Sequence, residues 1–133
     1  MMDIRVSSEL GRVPITVLHV AGDIDMATSE HLLSHFRQVH EAGARDIVID
    51  MTDVPYMSSA GLRALHEIFT KLRGSSSVEN EEAMRKGLSD GTFKSPHLKL
   101  ANPTKHVREV LSMSGYDMFL EIHPNVKDAV ASF

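Results

Sequence analysis

The segment Asp46-Ile47-Val48-Ile49-Asp50 sets three consecutive β-branched residues between two carboxylates, leaving no polar face anywhere in the run. A strand without a polar face must be buried on both sides, so it requires packing layers above and below it. The flanking sequence supplies them. Upstream, Leu32, Leu33, Phe36 and Val39 recur at helical spacing, with Thr28 placed as N-cap and Gly43 as the residue after the C-cap. Downstream, Leu62, Leu65, Ile68, Phe69 and Leu72 mark one face of a second helix, with Gly74 closing it.

The same alternation runs through the rest of the chain. Ile15 to Val20 is a β-branched strand ending at Ala21-Gly22, and Ile4 to Val6 is a short partner joined to it through the turn-like Glu9-Leu10-Gly11-Arg12. Leu98-Lys99-Leu100 is a weaker strand. Val107, Val110 and Leu111 stripe a third helix that starts near Thr104, after Pro103, and ends at Gly115. Leu120-Glu121-Ile122 is a last short strand, and Asn125 caps a terminal helix through Val126, Ala129, Val130 and Phe133. Strands alternating with helices imply βαβ crossovers and a largely parallel sheet. The expected fold is α/β: a single domain over 1–133, with a central mixed, mostly parallel sheet of four to five strands and about four helices.

Composition closes off several function classes. A chain of 133 residues with net charge −4 has no basic footprint for nucleic acid or acidic lipid. It has no cysteine, which excludes disulfides and thiolate metal sites. No apolar run approaches the roughly 20 residues of a membrane span. Met1 to Val6 is charged and lacks the apolar region of a signal peptide, so a cytoplasmic location is expected.

The stretch 74–96 breaks the rhythm. It opens with Gly74-Ser75-Ser76-Ser77, passes through Glu79, Glu81 and Glu82, and closes with Gly91 and Ser95-Pro96. Connections of this length are uncommon in compact domains. It is expected to be an insertion or flexible loop after the second helix, with one or two helical turns favoured by the Glu81/Arg85 and Glu82/Lys86 spacing.

The segment Val54-Pro55-Tyr56-Met57-Ser58-Ser59-Ala60-Gly61-Leu62 joins the buried strand to the second helix. In open α/β sheets, ligands and partners engage at this carboxyl end of the strands. A serine here caps the helix by accepting a backbone N–H bond. The position also tolerates phosphate, because free N–H groups and the helix dipole stabilise negative charge.

The run Asp50 to Leu62 resembles the signature of the STAS family, in which an acidic-ended strand leads into an Asp-Ser-Ser/Ala-Gly-Leu turn opening a helix. Ala21-Gly22-Asp23-Ile24-Asp25-Met26-Ala27-Thr28 resembles that family's Gly-x-x-Asp-x-x-Thr element, and Ser114-Gly115-Tyr116 with Phe119 resembles its late Gly-Leu/Tyr and Phe positions. The three elements stand in register across nearly the whole chain except 74–96. The resemblance implies an anti-sigma-factor antagonist, a binding protein without catalytic residues or cofactor. Its implied partners are an anti-sigma factor that is a serine kinase of the GHKL type and a phosphatase that reverses the kinase's action. It places the phosphoacceptor on Ser59, with Ser58 as the fallback. Asp25, Met26, Thr28, Met57, Ser58, Gly61 and Leu62 are then expected at the partner surface. Ser58 stands where the family has an Asp; this departure bears on the phosphorylation switch more than on the fold. A non-phosphorylated STAS scaffold, or a module binding a nucleotide or lipid, is the alternative.

Other signals are weaker. His31 and His35 are four apart on the first helix, but no third ligand matches, so no metal is expected. His66-Glu67 and His40-Glu41 lack the second histidine of a zinc-protease motif. Ser59-Ala60-Gly61 resembles half of a nucleophile elbow, yet Met57 stands where the elbow has glycine. Asp23 and Asp25 are read as loop-capping groups.

Overall fold

In a computed structural model, residues 2–73, 95–118 and 120–133 are described. The chain order is β1 (Asp3–Leu10), β2 (Pro14–Ala21), α1 (Ser29–Glu41), β3 (Ile47–Asp53), α2 (Ser59–Arg73), β4 (Leu98–Ala101), α3 (Lys105–Ser114), a 3-10 turn (Tyr116–Met118), β5 (Glu121–His123) and α4 (Val126–Ala131). The five strands form one sheet in sequence order. β1 and β2 are an antiparallel hairpin; β2–β3, β3–β4 and β4–β5 are parallel. The sheet is therefore mixed and mostly parallel, as the alternation of elements requires.

Strand alternation divides the core in two. Leu18 and Val20 of β2, Ile47, Ile49 and Met51 of β3, and Leu98 and Leu100 of β4 point to one side. There they meet Leu32, Leu33 and Phe36 of α1, Leu65, Ile68 and Phe69 of α2, and Val107 and Leu111 of α3. Ile15, Val17, Val48 and Ala101 point to the other side, where α4 covers them with Val126, Ala129 and Val130. Lys99, a cation inside a buried strand, fastens this smaller layer. Its ammonium donates to the Ser132 carbonyl and hydroxyl, each at 3.0 Å, and lies 3.3 Å from a Glu121 oxygen. A cation at a helix C-terminus satisfies carbonyls that lack intrahelical partners.

Several boundaries differ from those the sequence suggests. β1 extends to Leu10 instead of turning at Glu9, because the hairpin closes at Gly11, whose N–H donates to the Val13 carbonyl at 3.2 Å. β3 continues past Asp50 to Asp53, and β5 starts at Glu121. The last helix stops at Ala131. Gly43 and Gly115 end α1 and α3 with φ of 109° and 82°, a conformation that L side chains rarely adopt. Thr28 and Thr104 stand at the N-cap positions, yet neither side chain bonds to its helix. Thr104 instead donates to the Val54 carbonyl at 2.8 Å, tying α3 to the segment after β3. Asn125 does cap α4, accepting the Asp128 N–H at 2.8 Å.

The expected Gly74 stop, residues 74–94 of the expected insertion, and Phe119 lie outside the described residues. The end of that insertion is anchored: Ser95 is buried and accepts the Leu98 N–H at 3.2 Å, starting β4.

Leu65 sits in the middle of α2 with no exposed surface. Leu65→Ala should lower the unfolding free energy by about 2 to 5 kcal/mol in urea titration. A loss below about 1 kcal/mol would contradict the packing described for this face.

Candidate functional site

Two loops cross at the carboxyl end of the sheet. The loop after β2 runs from Gly22 to Thr28, and the segment after β3 runs from Val54 to Ser58. They hold each other through backbone bonds: the Ile24 N–H donates to the Tyr56 carbonyl at 3.0 Å, and the Ser58 N–H donates to the Ile24 carbonyl at 2.9 Å. Ile24 and Met57 thereby form a parallel bridge beyond the end of the sheet.

The first loop is ordered by its own polar groups. One Asp25 carboxylate oxygen accepts the N–H groups of Ala27, at 2.9 Å, and Thr28, at 3.1 Å. The Thr28 hydroxyl donates to the Asp23 carbonyl at 2.7 Å and accepts the Asp25 N–H at 3.0 Å. The carboxylate of Asp25 thus orders the turn that leads into α1, and the expected side-chain cap from Thr28 is not formed. Thr28 locks the loop instead. Met26, at the tip, is 80% exposed.

The second segment delivers Ser58 and Ser59 to the start of α2, in two different environments. Ser58 is half-buried; its hydroxyl lies 3.4 Å from both the Ile24 carbonyl and the Gly61 N–H, the N-cap arrangement. Ser59 is exposed, and its hydroxyl has no bonding partner among the described residues. Arg63, one turn further along, is exposed on the same stripe of α2.

Gly61 has a steric explanation. A Cβ there would lie 2.6 Å from Met57 Cγ and 2.8 Å from the Ile24 carbonyl oxygen. Only hydrogen fits between the helix and the crossing loop. Met57 is 2% exposed and Gly61 is buried. Both are expected at a partner surface, but the structure buries them beneath the Ile24 loop. Asp25, Thr28, Ser58 and Leu62 are partly exposed around them.

Two features escape a reading of the sequence. Tyr56 is 44% exposed and stacks on His106 of α3, ring centroids 5.1 Å apart. An exposed aromatic immediately before the serine motif is the signal that marks it. The second feature lies on the α4 side of the sheet. Ser7 Oγ is 2.8 Å from His19 Nε2, and His19 Nδ1 is 2.7 Å from Asp50 Oδ2. Asp50 in turn accepts the Thr52 hydroxyl at 2.6 Å, and the Asn102 side chain donates to Thr52 Oγ1 at 3.0 Å. The distances are those of a Ser-His-Asp triad, but the Ser7 N–H is directed into the β1–β2 ladder, so it cannot stabilise an oxyanion. The chain of bonds joins β1, β2 and β3 to Asn102, the residue that follows β4.

Burial pushes the Asp50 carboxyl upward. Bonds from the Thr52 hydroxyl, His19 and the Thr52 amide outweigh that and hold it below the ordinary carboxylate value. His31 and His35 pack edge to face at 4.6 Å, and no group of three potential ligands gathers around them or elsewhere among the described residues. No described helix is long and apolar enough to cross a membrane.

The sheet order, the crossed loops and the serine at the head of α2 define a recognisable class, and the chain belongs to the STAS domain family, whose family model matches residues 7–78. A protein of Bordetella bronchiseptica that carries the name anti-sigma factor antagonist BtrV is 31% identical over 113 residues, covering 84% of this chain and 78% of its own. Among solved structures, an anti-sigma factor antagonist of Mycobacterium paratuberculosis superposes with TM-score 0.75 at 21% identity, over 99% of this chain and 93% of that one. The antagonist SpoIIAA in its unphosphorylated form gives 0.66 at 16% identity, over 96% and 95%. The phosphorylated form of SpoIIAA from Bacillus gives 0.61 at 13% identity, over 98% of each chain. At these identities the structural likeness speaks for the fold.

The close approach at Gly61 predicts that Gly61→Ala costs about 1 to 3 kcal/mol, the usual range for overpacking. Thermal unfolding measures the cost, and amide exchange at Ile24 and Ser58 should accelerate with it. Asp50 predicts a pH dependence. A carboxyl held below its ordinary value stabilises the fold above that value, about pH 4, and the contribution is lost as pH falls through the lowered folded value. Urea midpoints from neutral pH downward should therefore show wild type more stable than Asp50→Asn above pH ~4, with the gap closing below it.

Proposed function

We propose that this chain is an anti-sigma factor antagonist that acts by binding its anti-sigma factor, without catalysis of its own, and that phosphorylation of Ser59 ends the binding. The observation that carries the proposal is the difference between the two serines. Ser58 is occupied with capping α2, whereas the Ser59 hydroxyl is exposed and unbonded at the head of the helix. The names of the relatives, and the existence of a phosphorylated form of SpoIIAA, support the same reading. The partner is an anti-sigma factor that is itself a GHKL-type serine kinase, a phosphatase restores the free serine, and the site of action is the cytoplasm.

The binding surface comprises Met26 at the tip of one loop, Asp25 and Thr28 behind it, Ser58, Ser59 and Leu62 on α2, and Tyr56 between them. Met57 and Gly61 support it from beneath. Exposed methionine adapts to a partner's contour and exposed tyrosine contributes rigid contact area. A phosphate on Ser59 adds about 1.5 to 2 negative charges at neutral pH. At the start of a helix, with Arg63 one turn away, that charge is tolerated by the isolated domain. In a closed interface the charge is desolvated, which is strongly unfavourable unless the partner supplies a cation to face it. The switch therefore falls on binding and spares the fold.

The test is the affinity of the cognate anti-sigma kinase for wild type, Ser59→Ala and Ser59→Asp, measured together with thermal stability. Ser59→Asp should bind at least about tenfold more weakly, a loss of about 1.4 kcal/mol. Its stability should stay within about 0.5 kcal/mol of wild type. Ser58→Asp should keep the cap and the fold while slowing phosphate transfer to Ser59. Equal affinity of wild type and Ser59→Asp overturns the switch, and phosphate mapped to Ser58 overturns the assignment of the acceptor.

A further inference from the structure

We infer that β1 is a self-complementary edge through which two copies of this chain pair antiparallel, extending the sheet across a twofold axis at Ser7. β1 is an outer strand of the sheet and runs for eight residues, whereas the other outer strand, β5, has three. No described strand pairs with the outer side of β1.

The phase of the hairpin determines which backbone groups face outward. In antiparallel pairs, hydrogen-bonded and non-bonded positions alternate. The Gly11 N–H bonds to Val13, so the bonded pairs of the β1–β2 ladder are the odd positions, including Arg5 with His19 and Ser7 with Val17. The Thr16 N–H accordingly turns away from β1, toward the Asp46 carbonyl. The N–H and C=O groups of Ile4, Val6, Ser8 and Leu10 therefore point out along the free edge. An edge of this length with unpaired backbone groups is a template for another strand.

Side chains select both the occupant and the register. With Ser7 opposite its symmetry mate, Ile4 faces Leu10 of the partner subunit and Val6 faces Ser8 of the partner subunit, giving about eight backbone hydrogen bonds. Arg5 then lies opposite Glu9 of the partner subunit, and Glu9 opposite the partner's Arg5. Neither residue has an ion pair among the described residues, so both charges are available. On the opposite face, Leu10 is 83% and Val6 43% exposed, and the same register brings each against partner side chains. A twofold axis at Val6 would instead set Asp3 against Glu9 twice, and one at Arg5 would set like charges face to face. An axis at Ser8 would leave Arg5 opposite Gly11 and shorten the ladder. The charge pattern thus favours one register of a second copy over its neighbours and over an unrelated strand. Ser59 lies beyond β3, on the interior of the sheet, so the pairing does not involve it.

The natural chain has no cysteine, which makes the register directly measurable. Under mild oxidation the full-length Ser7→Cys variant should form a disulfide-linked dimer. Residues opposed at a non-bonded position have Cα atoms about 4.5 Å apart, within disulfide range. Sedimentation of the unmodified chain into the high micromolar range should show a reversible dimer. Arg5→Glu should raise its Kd by about tenfold, and Arg5→Glu combined with Glu9→Arg should restore it. Ser8→Pro, which removes an outward N–H and none of the β1–β2 ladder, should abolish the dimer while leaving the monomer's thermal transition in place. A chain that sediments as a monomer throughout overturns the inference. So does a dimer indifferent to the charge reversal, because another surface then joins the copies. Should Ser8→Pro fail to fold, the loss and rescue by the charge variants decide.

Discussion

A strand with two apolar faces dictates the architecture of this protein. β3 sends Ile47, Ile49 and Met51 into one core and Val48 into the other, all without exposed surface. It cannot lie at an edge or face water, so β2 and β4 flank it and helices cover both sides. Once β3 is central, the connections on either side become crossover helices on a common face. The carboxyl ends of the parallel strands then gather at one end of the sheet. The position of Ser59 follows from that, because α2 begins where β3 ends.

The site adds a finer constraint. The loop after β2 reaches over the first turn of α2 closely enough that Gly61 cannot carry a side chain. This contact is what separates the two serines. It draws Ser58 under the Ile24 carbonyl, where its hydroxyl caps the helix, and leaves Ser59 turned outward. Met57 is pinned beneath by the same crossing, so the exposed apolar contacts come from Met26 and Tyr56. The polar relay from Ser7 to Asn102 lies on the other side of the sheet and serves a different purpose. It ties β1, β2 and β3 to the residue after β4 through side chains.

The order and type of the described elements were legible from periodicity, because apolar spacing reports which face of an element is buried. The stripe Leu32, Leu33, Phe36 and the run Ile47 to Ile49 have one reading each, and both are found as helix and central strand. Asn125 as a cap and Gly43 and Gly115 as helix ends were equally local, since each depends on its own backbone and immediate neighbours. The serine motif could be located for the same reason: it sits at a strand-to-helix junction visible in the pattern.

What the tertiary structure alone decided depends on residues far apart in the chain. Thr104 looks like a cap, yet its hydroxyl is claimed by the Val54 carbonyl, which only the fold brings near. Met57 and Gly61 look like contact residues, but a loop more than 30 positions upstream buries them. Lys99 would be an error in a buried strand were it not for the carbonyl of Ser132 and the carboxylate of Glu121. Local spacing encodes which surfaces must be hidden, since hydrophobic burial acts through each element's own periodicity. It does not encode which polar groups finally meet, because hydrogen bonding is short-ranged and directional, and its partners are set by packing across the sheet.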